Sequence, residues 1–263
     1  MASQADRHRL YELSVQCAES EVDFVEETYK TLKGHGAQSL REDFCGTAAV
    51  CCEWVKRGDT HQAIGVDLDS GVLQWGRDNR LSELNPGQKK RVTLLEENVL
   101  SAKTAPADMI MAMNFSYWLF KERPALLNYF KTALANLNDE GILFLDAFGG
   151  SDSFTEIEEE REIDGEDFTY IWDQAKFNPI NHDLLCHIHF SFADGSTMNE
   201  AFTYDWRLWT LPEIREVLLD AGFSKVTIYW QGWDKNGEPD AEFKPATVGE
   251  ADAGWICYIA AEK

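Results

Sequence analysis

The sequence predicts an α/β fold, an open and mainly parallel sheet with helices on both faces. Three observations carry this. The stretch from Gln38 to Asp69 reads as strand, turn, helix and strand. Strand-like and helix-like runs then alternate as far as Leu145, and Ala107 to Met113 (ADMIMAM) is apolar nearly throughout, as a strand buried on both faces is. From Phe168 to Arg207 the pattern changes to alternating runs separated by turns, which predicts an antiparallel β insertion after the fifth strand.

Taken in order, residues 5 to 33 give two helical stretches. Leu10, Leu13 and Cys17 recur at helical spacing, as do Val22, Val25 and Tyr29, and Gly34-His35-Gly36 ends the second. Ser39 to Asp43 is the first strand and Phe44-Cys45-Gly46-Thr47 the turn. Ala48 to Arg57 is a helix of mostly small residues stopped by Gly58-Asp59, and Gln62 to Asp67 is a second strand ending in carboxylates. An acid at that point can accept hydrogen bonds from both ribose hydroxyls, and a glycine in the first turn lets a ligand approach the backbone. A dinucleotide site wants G-x-G-x-x-G for its pyrophosphate. Here Phe44 and Ala48 stand where the outer glycines would fall, and no P-loop lysine motif occurs. A nucleoside without phosphates, carrying a cationic centre, fits better.

The segment E-D-F-C-G-T-A, followed by a strand ending G-V-D-L-D, resembles motifs I and II of the class I S-adenosylmethionine-dependent methyltransferases. Glu42 takes the acid position and Cys45-Gly46-Thr47 match directly, while Phe44 and Ala48 depart from the usual glycines. The resemblance implies a Rossmann-like seven-stranded methyltransferase sheet whose last strand is antiparallel, and S-adenosylmethionine as cofactor. It places Glu42, Cys45 and Gly46 at the methionyl end, Asp67 on the ribose, Leu68 over one adenine face, and Asn98 and Val99 beside adenine. It makes the N-terminal helices a lid, with Tyr11 and Gln16 as contacts. Residues Asn114 to Trp118, after the fourth strand, would border the transferred methyl group. Asn114 and Tyr117 are the polar groups expected there, Asn114 also touching the cofactor.

Further along, Ser70 to Leu84 predicts a helix with Asp69 or Ser70 at its start, stopped by Asn85-Pro86-Gly87. Arg91 to Leu95 is the third strand and Arg123 to Leu137 an amphipathic helix. Asn138 to Gly141 reads as a turn before the fifth strand, Ile142 to Leu145, which ends at Asp146. The acid-rich run Asp152 to Asp167 reads as a solvated loop. Three antiparallel strands follow: Phe168 to Phe177, Leu184 to Phe192, and a run ending at Arg207. Thr210 and Glu213 form a capping box ahead of Leu211, Ser224 to Trp230 is the sixth strand, residues 232 to 253 a polar loop, and Trp255 to Ala260 the last strand. The resemblance spans roughly residues 37 to 262. The expected organisation is one methyltransferase domain over residues 1–263, with residues 1–36 as a helical lid and residues 148–207 as a β-rich insertion over the substrate pocket.

The chain has 263 residues and a formal net charge of −22 at a pI near 4.5. Such a surface repels nucleic-acid phosphates and anionic membranes, and its field favours a cationic partner such as an amine. No apolar run approaches a membrane span, the N-terminus lacks the features of a secretory signal, and the six cysteines show no metal-ligand spacing, so a cytoplasmic protein with reduced thiols and no metal is expected. Trp172, Tyr204 and Trp206, with Tyr117 and Trp118, are candidate substrate contacts, since aromatic faces hold ammonium groups by cation–π attraction. Transfer from a sulfonium is an in-line displacement that a neutral amine undergoes with scarcely any base, whereas a hydroxyl acceptor requires one, for which His182, His187 and His189 are candidates. Methyl transfer to a small-molecule amine therefore leads. O-methylation, methylation of a basic protein tail, and a non-catalytic binding subunit remain open, and the sequence does not set the oligomeric state.

Overall fold

The computed structural model describes residues 1–233, 235 and 239–263. Helices α1 (Arg7–Ser14) and α2 (Ala18–Lys33) precede the sheet. The first parallel unit is β1 (Ser39–Asp43), α3 (Ala49–Arg57) and β2 (Gln62–Asp67). Helix α4 (Ser70–Asn79) begins at Asp69, whose carboxylate accepts the backbone N–H groups of Gly71 and Val72. The segment Asn85-Pro86-Gly87, expected only as a stop, also starts a new helix. Asn85 and Gln88 form a reciprocal capping box that opens α5 (Pro86–Lys89).

Strands β3 (Val92–Glu96) and β4 (Ala107–Ala112), helix α6 (Arg123–Ala135) and strand β5 (Leu137–Gly149) follow. The expected turn at Asn138 to Gly141 lies inside β5. Ala107 pairs with Leu137 and Met109 with Ile142, so the extra residues bulge out of a continuous strand. The solvated loop expected at Asp152 to Asp167 instead contributes β6 (Ile157–Glu162), an edge strand with most of its residues exposed. Its charged side chains need no burial, and edge strands are where such composition is tolerated. Strands β7 (Phe168–Phe177), β8 (Asp183–Phe192) and β9 (Thr197–Arg207) complete a four-stranded antiparallel sheet, one strand more than expected.

Helix α7 (Leu211–Ala221) begins at Thr210, whose backbone N–H donates to Glu213 Oε2 at 3.0 Å. Strands β10 (Lys225–Trp233), β11 (Pro239–Ala246) and β12 (Trp255–Glu262) close the chain. The main sheet runs β11-β10-β12-β5-β4-β1-β2-β3, with β10 and β12 antiparallel to their neighbours. It holds the seven expected strands plus β11, which forms at the edge from part of the expected polar loop; residues 234 and 236–238 of that loop lie outside the described residues.

Two cores sandwich this sheet, and the strands alternate between them. Met109 and Met111 of β4 and Ile142 and Phe144 of β5 face α2, α3 and α4. Ile110, Ala112, Leu143 and Leu145 face α6 and α7. A third cluster joins Leu10 of α1 to Phe168, Ile188 and Phe190 of the second sheet. Among the described residues, no helix is long and apolar enough to cross a membrane.

Candidate active site

The turn after β1 and the end of β2 meet at the carboxyl edge of the sheet. Phe44, Gly46 and Ala48 have φ values of 59°, 51° and 62°. The left-handed bend expected of a three-glycine turn is thus kept at all three positions, although two carry side chains. Phe44 is held by packing against Phe120 and Tyr129, and Ala48 is fully buried. Gly46 N–H donates to Asp67 Oδ2 at 2.8 Å and Asp69 N–H to Asp67 Oδ1 at 2.9 Å, so the acid of β2 and the turn of β1 form one unit.

Helix α4 presses on the back of this turn at Gly76. A β-carbon there would fall 2.4 Å from the Thr47 carbonyl oxygen, closer than any real contact. Gly76→Ala is expected to destabilise the protein by about 1–3 kcal/mol. Thermal unfolding checks this, and an unchanged Tm would mean that the turn yields freely.

Helix α1 straps the turn from the front. Thr47 Oγ1 donates to Glu12 Oε1 at 2.6 Å, and the guanidinium of Arg80, just past the end of α4, grips the same carboxylate. On its other side α1 reaches the second sheet, where Tyr11 lies 5.0 Å from Phe202 between ring centroids.

Between α1, α2, the ends of β4, β5 and β12, and the inner face of the second sheet lies a cavity of about 560 Å³. Tyr204 and Trp206 stack on its wall at 4.5 Å between centroids, with Trp172 alongside. Its floor is Asp146 at the end of the β5 core segment. Asn114 and Phe115 are both left-handed, with φ of 56°, and their backbone N–H groups donate to Asp146 Oδ2 at 2.7 Å and Oδ1 at 2.9 Å. The carboxylate therefore fixes the strained turn that ends β4.

Three buried carboxyls converge here: Glu21 of α2, Glu42 of β1 and Asp146. Burial pushes Glu21 up to about 7, Glu42 to about 8 and Asp146 to about 7, and Glu21 raises the other two further. Opposing hydrogen bonds come from Cys51 to Glu42 and from the two amides to Asp146. Such groups hold their protons more tightly folded than unfolded. Their contribution to stability is complete below the unfolded carboxyl values near 4 and is lost as pH rises through 7 to 8. The lowered carboxyls, Asp6, Asp108, Asp194, Glu213 and Glu262, act below this window. His8, lowered mainly by burial, opposes the slope. The Tm of the ligand-free protein is expected to fall by about 5 °C or more from pH 5 to pH 8, as scanning calorimetry would report.

The structure brings Tyr11, Asn114, Trp172, Tyr204 and Trp206 together on the cavity wall. Glu42, Cys45, Gly46 and Asp67 gather where β1, its turn and β2 meet, and none of them lines the cavity. Leu68 is 67% exposed beside it. Asn98 is exposed and accepts the Leu100 N–H, while Val99 is buried and gives its carbonyl to Arg41. Tyr117 and Trp118 are not on the cavity wall. Both are fully buried in the core, where Tyr117 donates to the Asp146 carbonyl at 2.7 Å. Burial pushes the Tyr117 hydroxyl far above its ordinary range. His187 and His189 sit between the inward-facing Cys186, Ile188 and Phe190, so strand periodicity turns them to the outer face, beside Thr203 and Asp173. His182 packs against Phe154 and Phe177 outside the cavity. Glu21 and Arg161 are cavity residues that the sequence reading missed. The signal for Glu21 was present, since it shares the buried stripe of α2 with Val22, Val25 and Tyr29.

No protein-family model matches this sequence, and no curated protein matches it significantly. Solved structures do match in fold. An S-adenosylmethionine-dependent methyltransferase from Clostridium acetobutylicum ATCC 824 superposes with a TM-score of 0.68 at 15% identity, covering 97% of this chain and 96% of its own. CalS10, an amino pentose methyltransferase from Micromonospora echinaspora solved with S-adenosylmethionine bound, gives 0.68 at 12% identity over 97% and 96%. KedS8, a sugar N-methyltransferase from Streptoalloteichus sp. ATCC 53650, gives 0.66 at 14% over 98% and 93%. The chain has the fold of the S-adenosylmethionine-dependent methyltransferases over nearly its whole length.

Proposed function

We propose that this protein is an S-adenosylmethionine-dependent methyltransferase acting on an amine nitrogen of a small molecule. The observation that carries this reading is a left-handed turn tied to Asp67, at the same sheet edge as a half-open cavity of aromatic and acidic walls. The residues present fit the cofactor. Asp67 offers lone pairs beyond those used by Gly46 and Asp69, as a ribose requires. Gln16 Oε1 is a buried acceptor without a partner among the described residues, as a donor on the cofactor would require.

When bound, the cofactor supplies an electrophilic methyl group on a sulfonium. The chain's part is to orient, desolvate and exclude water. Helices α1 and α2 act as the lid and residues 148–207 as the roof of the acceptor pocket. Asp146 holds Asn114 and Phe115 at the reacting edge. A cavity of about 560 Å³ walled by these elements supports a small acceptor over a protein tail. Its Glu21, Asp146, Asp152 and Glu159 support a cationic acceptor over a phosphorylated one. Among the described residues Arg161 is the one basic group on the wall, and it is committed to the Ser14 carbonyl and the Tyr170 ring.

Calorimetric titration with S-adenosylhomocysteine tests the cofactor. Transfer of labelled methyl from S-adenosylmethionine across matched amines and alcohols tests the acceptor, with label expected on the amines. No binding of the homocysteine product would overturn the assignment.

A further inference from the structure

Glu21 is the group in the cavity for which the fold itself provides least. It is 6% exposed, and although its carboxylate has a backbone hydrogen bond from Cys17, Oε2 makes none. Its neighbour in the acid cluster differs: both Asp146 oxygens are occupied by backbone N–H groups. A buried carboxylate with one oxygen unsatisfied is costly, so a chain that retains one on the apolar stripe of a helix leaves that oxygen for a ligand. A ligand group that satisfies it must bring N–H or O–H donors and, at neutral pH, positive charge. The aromatic wall of Tyr11, Trp172, Tyr204 and Trp206 favours the same charge.

We propose that Glu21 binds the acceptor's ammonium and takes its proton. This rests on the methyltransferase reading above. An ammonium has no lone pair and cannot attack a methyl group. In the step proposed, one N–H bond of the ammonium breaks and an O–H bond forms on Glu21 Oε2. The electron pair of the N–H bond remains on nitrogen as the lone pair of a neutral amine, and the carboxylate becomes a neutral carboxylic acid. The groups that sense this charge are Tyr11 on α1, Glu42 on β1, Asp146 on β5 and Tyr258 on β12. Burial, partly offset by a backbone hydrogen bond from Cys17, pushes Glu21 up to about 7 and so readies it to accept a proton near neutrality. Glu21 also lies on the lid, so receipt of an ammonium ties α2 to the occupant.

The test uses cyclohexylammonium as probe, on the whole protein saturated with S-adenosylhomocysteine, followed by calorimetry. The proposal expects wild type to bind cyclohexylammonium and Glu21→Gln to bind it at least tenfold more weakly, with S-adenosylhomocysteine affinity unchanged. Glu21→Asp is expected to recover part of the loss, and wild-type affinity to rise from pH 5.5 to pH 8 as the carboxyl ionises. Equal probe binding by wild type and Glu21→Gln, or none by wild type, overturns it. A fall in S-adenosylhomocysteine affinity in Glu21→Gln also overturns it, assigning the carboxylate to the cofactor's own ammonium. Failure of wild type to bind S-adenosylhomocysteine is a separate result, which removes the methyltransferase reading itself.

Discussion

Truncating Arg41 to alanine is expected to destabilise the protein by about 3–5 kcal/mol, the largest effect of any single change considered. Arg41 is a fully buried cation on β1, an interior strand of the sheet. Its Nε donates to Asp43 Oδ1 at 2.7 Å, one terminal nitrogen to Thr104 Oγ1 at 3.1 Å and the other to the Val99 carbonyl at 3.0 Å. The hydroxyl of Tyr129 donates to the remaining Asp43 oxygen at 3.0 Å. Removing the guanidinium strands the Asp43 carboxylate, the Val99 carbonyl and the Thr104 hydroxyl in a space that water does not readily reach. Chemical denaturation should show the midpoint falling at constant slope. The double change Arg41→Met with Asp43→Leu should recover most of the loss, because it removes both charges together. A single truncation costing under 1 kcal/mol would mean that solvent enters this core.

The second large effect concerns function. Asp67→Ala is expected to raise the dissociation constant for S-adenosylhomocysteine by at least about 100-fold, since hydrogen bonds to a charged group are worth about 1.5–3 kcal/mol each. Part of the loss comes from the protein itself. Asp67 Oδ2 accepts the Gly46 N–H, so alanine frees the turn as well as removing the ribose acceptor. Asp67→Asn, which keeps one acceptor oxygen, should fall between the two. Equal affinity in wild type and Asp67→Ala would place the nucleoside elsewhere.

The fold was legible where burial is simple. ADMIMAM can only be a strand with a core on each side, and Met109 and Ile110 do face opposite cores. β1 was legible for a different reason. Ser39 to Asp43 has a single large apolar residue, yet its last four residues are all buried. Its place in a βαβ unit, rather than its composition, identified it. The rest was hidden by pairing at a distance. Glu42 answers α3, Asp43 answers Tyr129 and Asp146 answers two amides of another strand, and such partners cannot be read along the chain. Tyr117 shows the reverse case. It sits at the strand end where ligand contacts are expected, but the turn at Asn114 and Phe115 sends it inward to the Asp146 carbonyl. The strands at β6 and β11 were missed because an edge needs little apolar surface.

The turn at Phe44, Gly46 and Ala48 has a consequence for how such a chain is recognised. What defines it is a set of torsion angles, and glycine is only the residue that adopts them most readily. Each non-glycine residue in that region costs about 1–2 kcal/mol, and here the surrounding core bears that cost with ring contacts and burial. The same path can therefore be written in different residues. A signature spelled in glycines finds one of three in this chain, whereas one spelled in backbone angles finds all three.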